Sequence, residues 1–142
     1  MSLPVTFSYQ YPYPKIDSAN KLKSFLNYII KQEGYVLESL SYVFCTDDFL
    51  LNINRQFLQH DYYTDIITFD YSTKSNKIYG ELYISIDRVK ENAKSINTTY
   101  KNEIHRVIIH GLLHLCGYKD KTTEEINTMR TKEDQYLNQY FL

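Results

Sequence analysis

The fold of this chain is organised around the segment HGLLHLCGYKD, residues 110–120, and the helix that leads into it. His110 and His114 are four residues apart, which places them one turn from each other on the same face of a helix. Imidazole is the commonest metal ligand at neutral pH, so both rings can reach one ion. Gly117 then predicts a helix end, which lets the chain turn and bring Asp120 toward that ion. Two imidazoles and a carboxylate leave a coordination position open for water, as in catalytic metal sites.

The helix that carries the two histidines is predicted over residues 101–116. Its apolar residues recur at helical spacing and predict packing against a sheet: Ile104, Val107, Ile108, Leu112 and Leu115. His105 lies about 140° around this helix from His110, so it points away from the predicted site. We expect it to be a surface residue, or a residue that contacts a metal-binding side chain without binding the metal itself. Cys116 lies about 160° from His114, which favours a small buried side chain over a thiolate ligand.

The rest of the chain predicts one α+β domain over residues 1–142, with a small mixed sheet of about four strands packed by about five helices. The metal-binding helix of such a domain resembles that of zincins. Strands are predicted over 5–9, 40–44, 65–71 and 78–85; the last two are expected to be antiparallel neighbours because their connection is short. Helices are predicted over 18–34, 46–57, 87–96, 101–116 and 122–140.

Local signals mark where several of these elements begin and end. The prolines of the YPYP segment, residues 11–14, cannot continue the ladder of the first strand. Ser18 is expected to cap the first helix and Gly34 to end it. Thr122 and Glu125 have the spacing of a capping box, which predicts a firm start for the last helix.

Composition and charge narrow the function classes. The chain has 16 basic and 17 acidic residues and a pI near 6.4, which argues against a broadly basic nucleic-acid binder and leaves a local basic patch open. Cys45 and Cys116 have no CxxC spacing, so reduced thiols in a cytoplasmic protein are expected. The N-terminal residues lack the apolar stretch of a signal peptide, and no run approaches the roughly 20 apolar residues of a membrane span.

The position after the first histidine separates this segment from a common class of metallopeptidase. Enzymes with the HExxH motif place a glutamate there as general base, whereas this chain has Gly111. We therefore expect a site that does not use that base. A metal-dependent hydrolase of another substrate, such as a peptide or a small ester, stays open as an alternative.

The same segment closely resembles the HGxLHLxGYDH signature of the YbeY family of bacterial endoribonucleases, which are also described as rRNA maturation factors. The resemblance extends to the family's N-x-x-Y/F-R-x-x-D-x-x-TDVLSF stretch, its G-D-I-x-I strand and its last helix. The matching positions are Asn54, Phe57, Asp61, residues 64–69, residues 80–84, Met129 and Glu133. Together they cover the chain from about Ile53 to its C-terminus.

The resemblance implies a compact α+β fold and a zinc site in which His110 and His114 are the first two ligands. It implies metal-dependent cleavage of single-stranded ribosomal RNA, especially at the 3′ end of the small-subunit rRNA, and a part in ribosome quality control. The implied partners are ribosomal RNA and the small ribosomal subunit or its assembly proteins. Residues 64–69 are expected to form one wall of the cleft.

Three positions depart from the family pattern. The family's third histidine falls on Asp120, the aspartate before it on Lys119, and a basic residue thought to serve RNA cleavage on Leu58. A carboxylate ligates zinc as an imidazole does, so Asp120 is the predicted third ligand. Leucine cannot hold a phosphate oxygen, and Arg55, His60 and Lys119 are the candidates for that contact. The leucine at position 58 also keeps open an alternative function, in which the chain is a non-catalytic ribosome-assembly factor with a structural metal.

Overall fold

A computed structural model describes residues 2–10, 12 and 15–142. Within them, the elements follow in the order β1 (Val5–Tyr9), α1 (Ala19–Gln32), β2 (Val36–Cys45), α2 (Asp47–Leu58), β3 (Ile66–Asp70), β4 (Lys77–Ser85), α3 (Ile86–Ser95), α4 (Tyr100–Leu115) and α5 (Thr123–Tyr140). The predicted α+β class, with four strands and five helices in the described part of the chain, is confirmed. None of these helices is long and apolar enough to cross a membrane.

The strands form one mixed sheet in the order β1-β2-β4-β3. β2 runs parallel to both β1 and β4, while β3 runs antiparallel to β4, as the short connection between them predicts. β3 is therefore an edge strand. Its outer side carries no strand partner among the described residues, so that side is available to line a site.

The two faces of the sheet have separate cores because successive side chains of a strand point to opposite faces. Leu82 and Ile84 of β4 belong to the large core, which is filled mainly by α1, α4 and α5. Tyr83 lies on the other face, where a smaller cluster under α2 includes Leu50 and Ile67. The chain thus has helices on both faces of a four-stranded sheet.

The predictions that Gly34 ends α1 and that Thr122 and Glu125 cap α5 are confirmed, whereas the prediction that Ser18 caps α1 is wrong. Gly34 has a φ of 87° just after α1, and the side chains of Thr122 and Glu125 make the reciprocal bonds of a capping box. Ser18 does not cap α1 with its side chain, because its φ of 52° is left-handed, whereas a capping serine needs an extended backbone. Of the YPYP segment, only Pro12 lies within the described residues, so its effect on β1 stays a prediction.

Gly111 allows α4 to lie close against β3 and β4. A Cβ at this position would lie 2.3 Å from Cδ2 of Leu82 and 2.6 Å from Cδ1 of Ile66, so no side chain fits there without rearranging the core. A glutamate at this position would thus require the side chains of Leu82 and Ile66 to move. The close approach also places the end of α4, with His110 and His114, beside the edge strand.

Candidate metal centre

The three predicted ligands, His110, His114 and Asp120, converge at the C-terminal end of α4. Nε2 of His114 lies 3.1 Å from Nε2 of His110 and 3.1 Å from Oδ2 of Asp120. Nε2 of His110 lies 3.4 Å from Oδ2 of Asp120. We call the group formed by the side chains of His110, His114 and Asp120 the metal triangle. Tetrahedral zinc with ligands near 2.1 Å separates the ligand atoms by about 3.4 Å. The donor set and its spacing therefore fit one divalent ion.

The other nitrogen of each imidazole is held by the protein. Nδ1 of His114 lies 2.9 Å from the carbonyl oxygen of Tyr118, and Nδ1 of His110 lies 2.6 Å from Oε2 of Glu133. Because these oxygens accept, each Nδ1 carries the hydrogen and donates it. Each Nε2 is then left without a hydrogen and can bind a metal, so the tautomer and the direction of both rings are fixed.

Glu133 is a buried carboxylate of α5 that supports His110. Its Oε1 also accepts from Nη1 of Arg106 at 2.9 Å. Burial raises the pKa of Glu133, but the hydrogen bonds from His110 and Arg106 outweigh it and the net pKa is lowered. Burial lowers the pKa of His110, but the hydrogen bond and charge of Glu133 outweigh it and the net pKa is raised. Such a carboxylate–histidine pair makes the imidazole a more basic metal ligand.

The α4–α5 loop, residues 116–122, returns Asp120 to the helix end. Gly117 adopts a φ of 98°, which confirms the predicted helix stop. In this turn the amide of Gly117 donates to the carbonyl of His114 and that of Tyr118 to the carbonyl of Leu113. The turn thus places both the carbonyl of Tyr118 and the carboxylate of Asp120 next to His114.

A second carboxylate anchors this loop to the core. Glu33, at the end of α1, accepts from the hydroxyl of Tyr118 at 2.6 Å, from the hydroxyl of Tyr136 and from Nζ of Lys132 at 3.3 Å. Burial raises the pKa of Glu33, yet these three donors together lower it. We call these four residues the Glu33 cluster. Through the carboxylate of Glu33, this cluster links the end of α1 to the α4–α5 loop and to α5.

The metal triangle opens onto a cleft of about 510 Å³ that runs along β3, here called the edge-strand cleft. Its lining residues are Asn54, Leu58, His60, Tyr62, Thr64, Asp65, Ile66, Ile67, Thr68, Asp70, His110, His114, Leu115 and Asp120. The segment of residues 64–69 thus forms a wall of the cleft, as the resemblance implied. No lysine or arginine is among the described residues that line it.

A second cavity, of about 330 Å³, lies on the α5 side of His110. Asp65 lines both spaces, and burial raises the pKa of its carboxyl group. Glu103 lines the second cavity only; its Oε1 is buried and has no hydrogen-bond partner in the described part of the chain. Burial likewise raises the pKa of Glu103.

The three candidates for a phosphate contact lie in different places. His60 lines the edge-strand cleft together with Leu58. Arg55 is half-exposed on α2, where its Nε pairs with Oδ1 of Asp61 at 2.5 Å. Lys119 is exposed outside the cleft. The structure brings only His60 of these three candidates into the cleft, and the contact itself stays a prediction.

His105 and the cysteines are buried in the protein. His105 is 3 % exposed, bonds through Nδ1 to the carbonyl of Lys101 at 2.7 Å and stacks on Tyr140. The expected surface position or ligand-supporting role is therefore wrong, because α5 and the C-terminal residues cover that side of α4. Cys116 is buried as predicted, and burial raises the pKa of Cys116 and of Cys45 to about 12.

Comparison with known proteins identifies the family. The family model described as Endoribonuclease YbeY matches residues 9–141. The chain belongs to the YbeY family. It is 57 % identical over 118 residues to the Endoribonuclease YbeY of Cytophaga hutchinsonii, covering 83 % of this chain and 82 % of the relative. It is 41 % identical to that of Flavobacterium psychrophilum, covering 94 % of both chains.

A solved structure supports the same fold. The solution structure of a protein from Thermotoga maritima superposes with a TM-score of 0.68 at 27 % identity. The match covers 96 % of this chain and 89 % of that one. The family model and the relatives thus show the family, and the solved structure supports the α+β fold.

Sequence reasoning missed the groups that orient the ligands. Glu133 matches the last helix of the YbeY pattern, but no role was assigned to it. Its place on α5, 23 residues beyond His110, gave no local signal. Glu33 lies at the end of α1, far from the signature, and only packing brings it to the α4–α5 loop.

Proposed function

We propose that this chain is a metal-dependent endoribonuclease that cleaves single-stranded ribosomal RNA, at the 3′ end of the small-subunit rRNA, and serves ribosome quality control in the cytoplasm. Zn²⁺ is the proposed ion, with His110, His114 and Asp120 as its ligands. The partners are ribosomal RNA and the small ribosomal subunit or its assembly proteins. The proposal is carried by the metal triangle together with membership of a family whose named relatives are endoribonucleases.

The exposure of the triangle favours a catalytic over a structural metal. The side chains of His114 and Asp120 are 28 % and 40 % exposed and face the edge-strand cleft. A structural zinc site has four protein ligands and is closed to solvent, whereas a catalytic one keeps a position for water or substrate. The described residues supply three ligands, and an RNA strand can approach them along the edge of β3.

Each residue of the site has a defined task in this proposal. The three ligands hold the ion, while Glu133 and the carbonyl of Tyr118 orient the two imidazoles. A divalent ion at this position supplies a Lewis acid for the phosphate and lowers the pKa of water. Asp65, whose carboxyl pKa is raised, lies within the same cleft as a group that can exchange a proton.

Metal content and RNA cleavage test the proposal together. Elemental analysis should find zinc in the purified chain and lose it in His114→Ala. A precursor of the small-subunit rRNA should be cut near its 3′ end by the zinc-loaded chain and not by His114→Ala. Lys121→Ala is the matched control, because Lys121 lies in the same loop, is exposed and stays outside the cleft lining.

Replacing the third ligand sharpens this test. Asp120→His installs the imidazole that the family pattern has at this position, so it should keep zinc and activity, whereas Asp120→Ala should lose both. Equal cleavage by wild type and His114→Ala would point to a contaminating nuclease and refute the proposal. Loss of thermal stability in His114→Ala, without any RNA cleavage by wild type, would favour the structural-metal alternative.

A further inference from the structure

The edge-strand cleft offers an RNA chain few positive charges. Three aspartates line it, and lysine and arginine are absent from its described lining. The whole chain is also close to neutral, with a formal charge of −1. Contacts from lysine and arginine to phosphates supply most non-specific affinity for nucleic acids. Within this cleft, affinity has to come from another part of the nucleotide, and the face of an unpaired base is available for stacking on aromatic rings.

Two aromatic rings line the same cleft as the metal triangle. The rings of His60 and Tyr62 are stacked, with centroids 5.2 Å apart and an angle of 21° between their planes. The hydroxyl of Tyr62 lies 3.0 Å from Nδ1 of His60. Tyr62 is 56 % exposed and His60 is exposed too, although both line the cleft that reaches the predicted ligands. Their exposure means that the pair does little for the core.

Asn54 holds both aromatic residues in place. Its side chain is buried, and Nδ2 donates to the carbonyl of Tyr62 at 2.9 Å. The carbonyl of Asn54 accepts from the amide of His60 at 3.1 Å. One buried residue therefore holds the backbone of both His60 and Tyr62. A preorganised pair loses less conformational freedom on binding than two mobile side chains.

We propose that His60 and Tyr62 form a stacking platform for an unpaired base of the RNA substrate, beside the phosphate that reaches the metal triangle. This inference rests on the proposed ribonuclease function and adds the kind of contact that selects the substrate. The nucleotide on the platform is single-stranded, because a base inside a duplex has both faces covered by its neighbours. Stacking accepts any base, so the platform selects for unpaired RNA more than for sequence.

Binding of a short single-stranded 2′-O-methyl RNA to the zinc-loaded full chain tests the platform. Fluorescence anisotropy should give a Kd about tenfold higher for Tyr62→Ala than for wild type, since one stacked base contributes that much. Tyr62→Phe keeps the ring and should stay near the wild-type value. Tyr63→Ala is the matched control: this neighbour is 50 % exposed but lies outside the cleft lining.

Two further readouts separate stacking from charge. The loss caused by Tyr62→Ala should be the same at low and high salt, because stacking releases no counterions, unlike a phosphate contact. Replacing one nucleotide at a time by an abasic unit should find a position that weakens wild type but not Tyr62→Ala. Equal losses for Tyr62→Ala and Tyr63→Ala, or none for either, would overturn the platform.

The platform and the proposed function fail in different ways. If wild type and Tyr62→Ala both cut the rRNA precursor and bind the probe equally well, the platform is wrong and the ribonuclease function stands. If wild type, fully loaded with zinc, neither cuts the precursor nor binds the probe, both are refuted.

Discussion

Two loops flank the metal triangle, and the protein holds them in different ways. The α4–α5 loop is tied to the core by the Glu33 cluster, in which a largely buried carboxylate accepts three hydrogen bonds. The α2–β3 loop, residues 59–65, exposes His60, Tyr62 and Tyr63 and is fixed from inside by Asn54. The loop that carries the proposed ligand Asp120 is thus tied to the core, while the loop that carries the proposed stacking pair is left at the surface.

The largest expected difference between the loops is in metal affinity. Asp120→Ala removes one of the three proposed ligands and should weaken zinc binding by more than about 100-fold. Loss of a group that only orients a ligand usually weakens metal binding by about 10- to 100-fold. His60→Ala changes the other loop that lines the same cleft and should leave zinc affinity unchanged. Competition with a chromogenic chelator measures both. A similar loss in the two variants would show that His60 takes part in binding the metal.

The next difference is in stability. Glu33→Ala leaves two tyrosine hydroxyls and one ammonium group without their acceptor and should lower the free energy of unfolding by about 2–3 kcal/mol. Urea denaturation of the zinc-free chain measures this without a contribution from metal binding. Glu38→Ala, at an exposed position of β2, is the control. A loss no larger than that of Glu38→Ala would mean that the Glu33 cluster does not anchor the loop.

The contribution of Glu33 should also depend on pH. Its pKa is lowered below the ordinary 4.5 by its three donors, despite burial. A lowered carboxyl pKa stabilises the fold above the unfolded-state value, and this stability is lost as the pH falls through the folded-state value. The stability difference between wild type and Glu33→Gln should therefore be full at neutral pH and shrink below pH 4.5. A difference that grows on acidification would contradict the assignment.

In the α2–β3 loop the expected stability effect is smaller. Asn54→Ala removes the hydrogen bond from Nδ2 to the carbonyl of Tyr62 and should cost about 1 kcal/mol, since one internal bond is lost. It should also weaken RNA binding, because the backbone of Tyr62 loses the side chain that holds it, while the bond from the His60 amide to the backbone carbonyl at position 54 stays. Gln56→Ala, exposed on the same helix, controls for helix propensity. If Asn54→Ala lost stability but kept full RNA affinity, Asn54 would not position the platform.

The smallest effect is expected for the ion pair of Arg55 and Asp61. Their side chains are 53 % and 76 % exposed, so solvent screens the pair and Arg55→Ala should change the free energy of unfolding by less than about 0.5 kcal/mol. RNA affinity should change little too, because Arg55 lies outside the cleft lining. A large loss of RNA affinity in this variant would instead make Arg55 the phosphate contact.

The sequence predicted the elements well because its signals are local. Helical spacing of apolar residues, the capping box at Thr122 and the glycines at 34 and 117 each act within one or two turns of chain, and the structure places these elements within a few residues of the prediction. Ser18 failed because its side chain matches a cap while its backbone is left-handed. The burial of His105 could not be predicted, because the residues that cover it, in α5 and at the C-terminus, are far from it in the sequence.

By itself, the sequence determined the α+β class, the family resemblance and the three candidate ligands. These depend on spacing along one helix and the turn that follows it. The tertiary structure alone decided which tautomer each histidine adopts, which carboxylates support the site, and which of Arg55, His60 and Lys119 faces the cleft. The physical reason is that these contacts join residues far apart in the chain, so they exist only after the sheet and helices have packed.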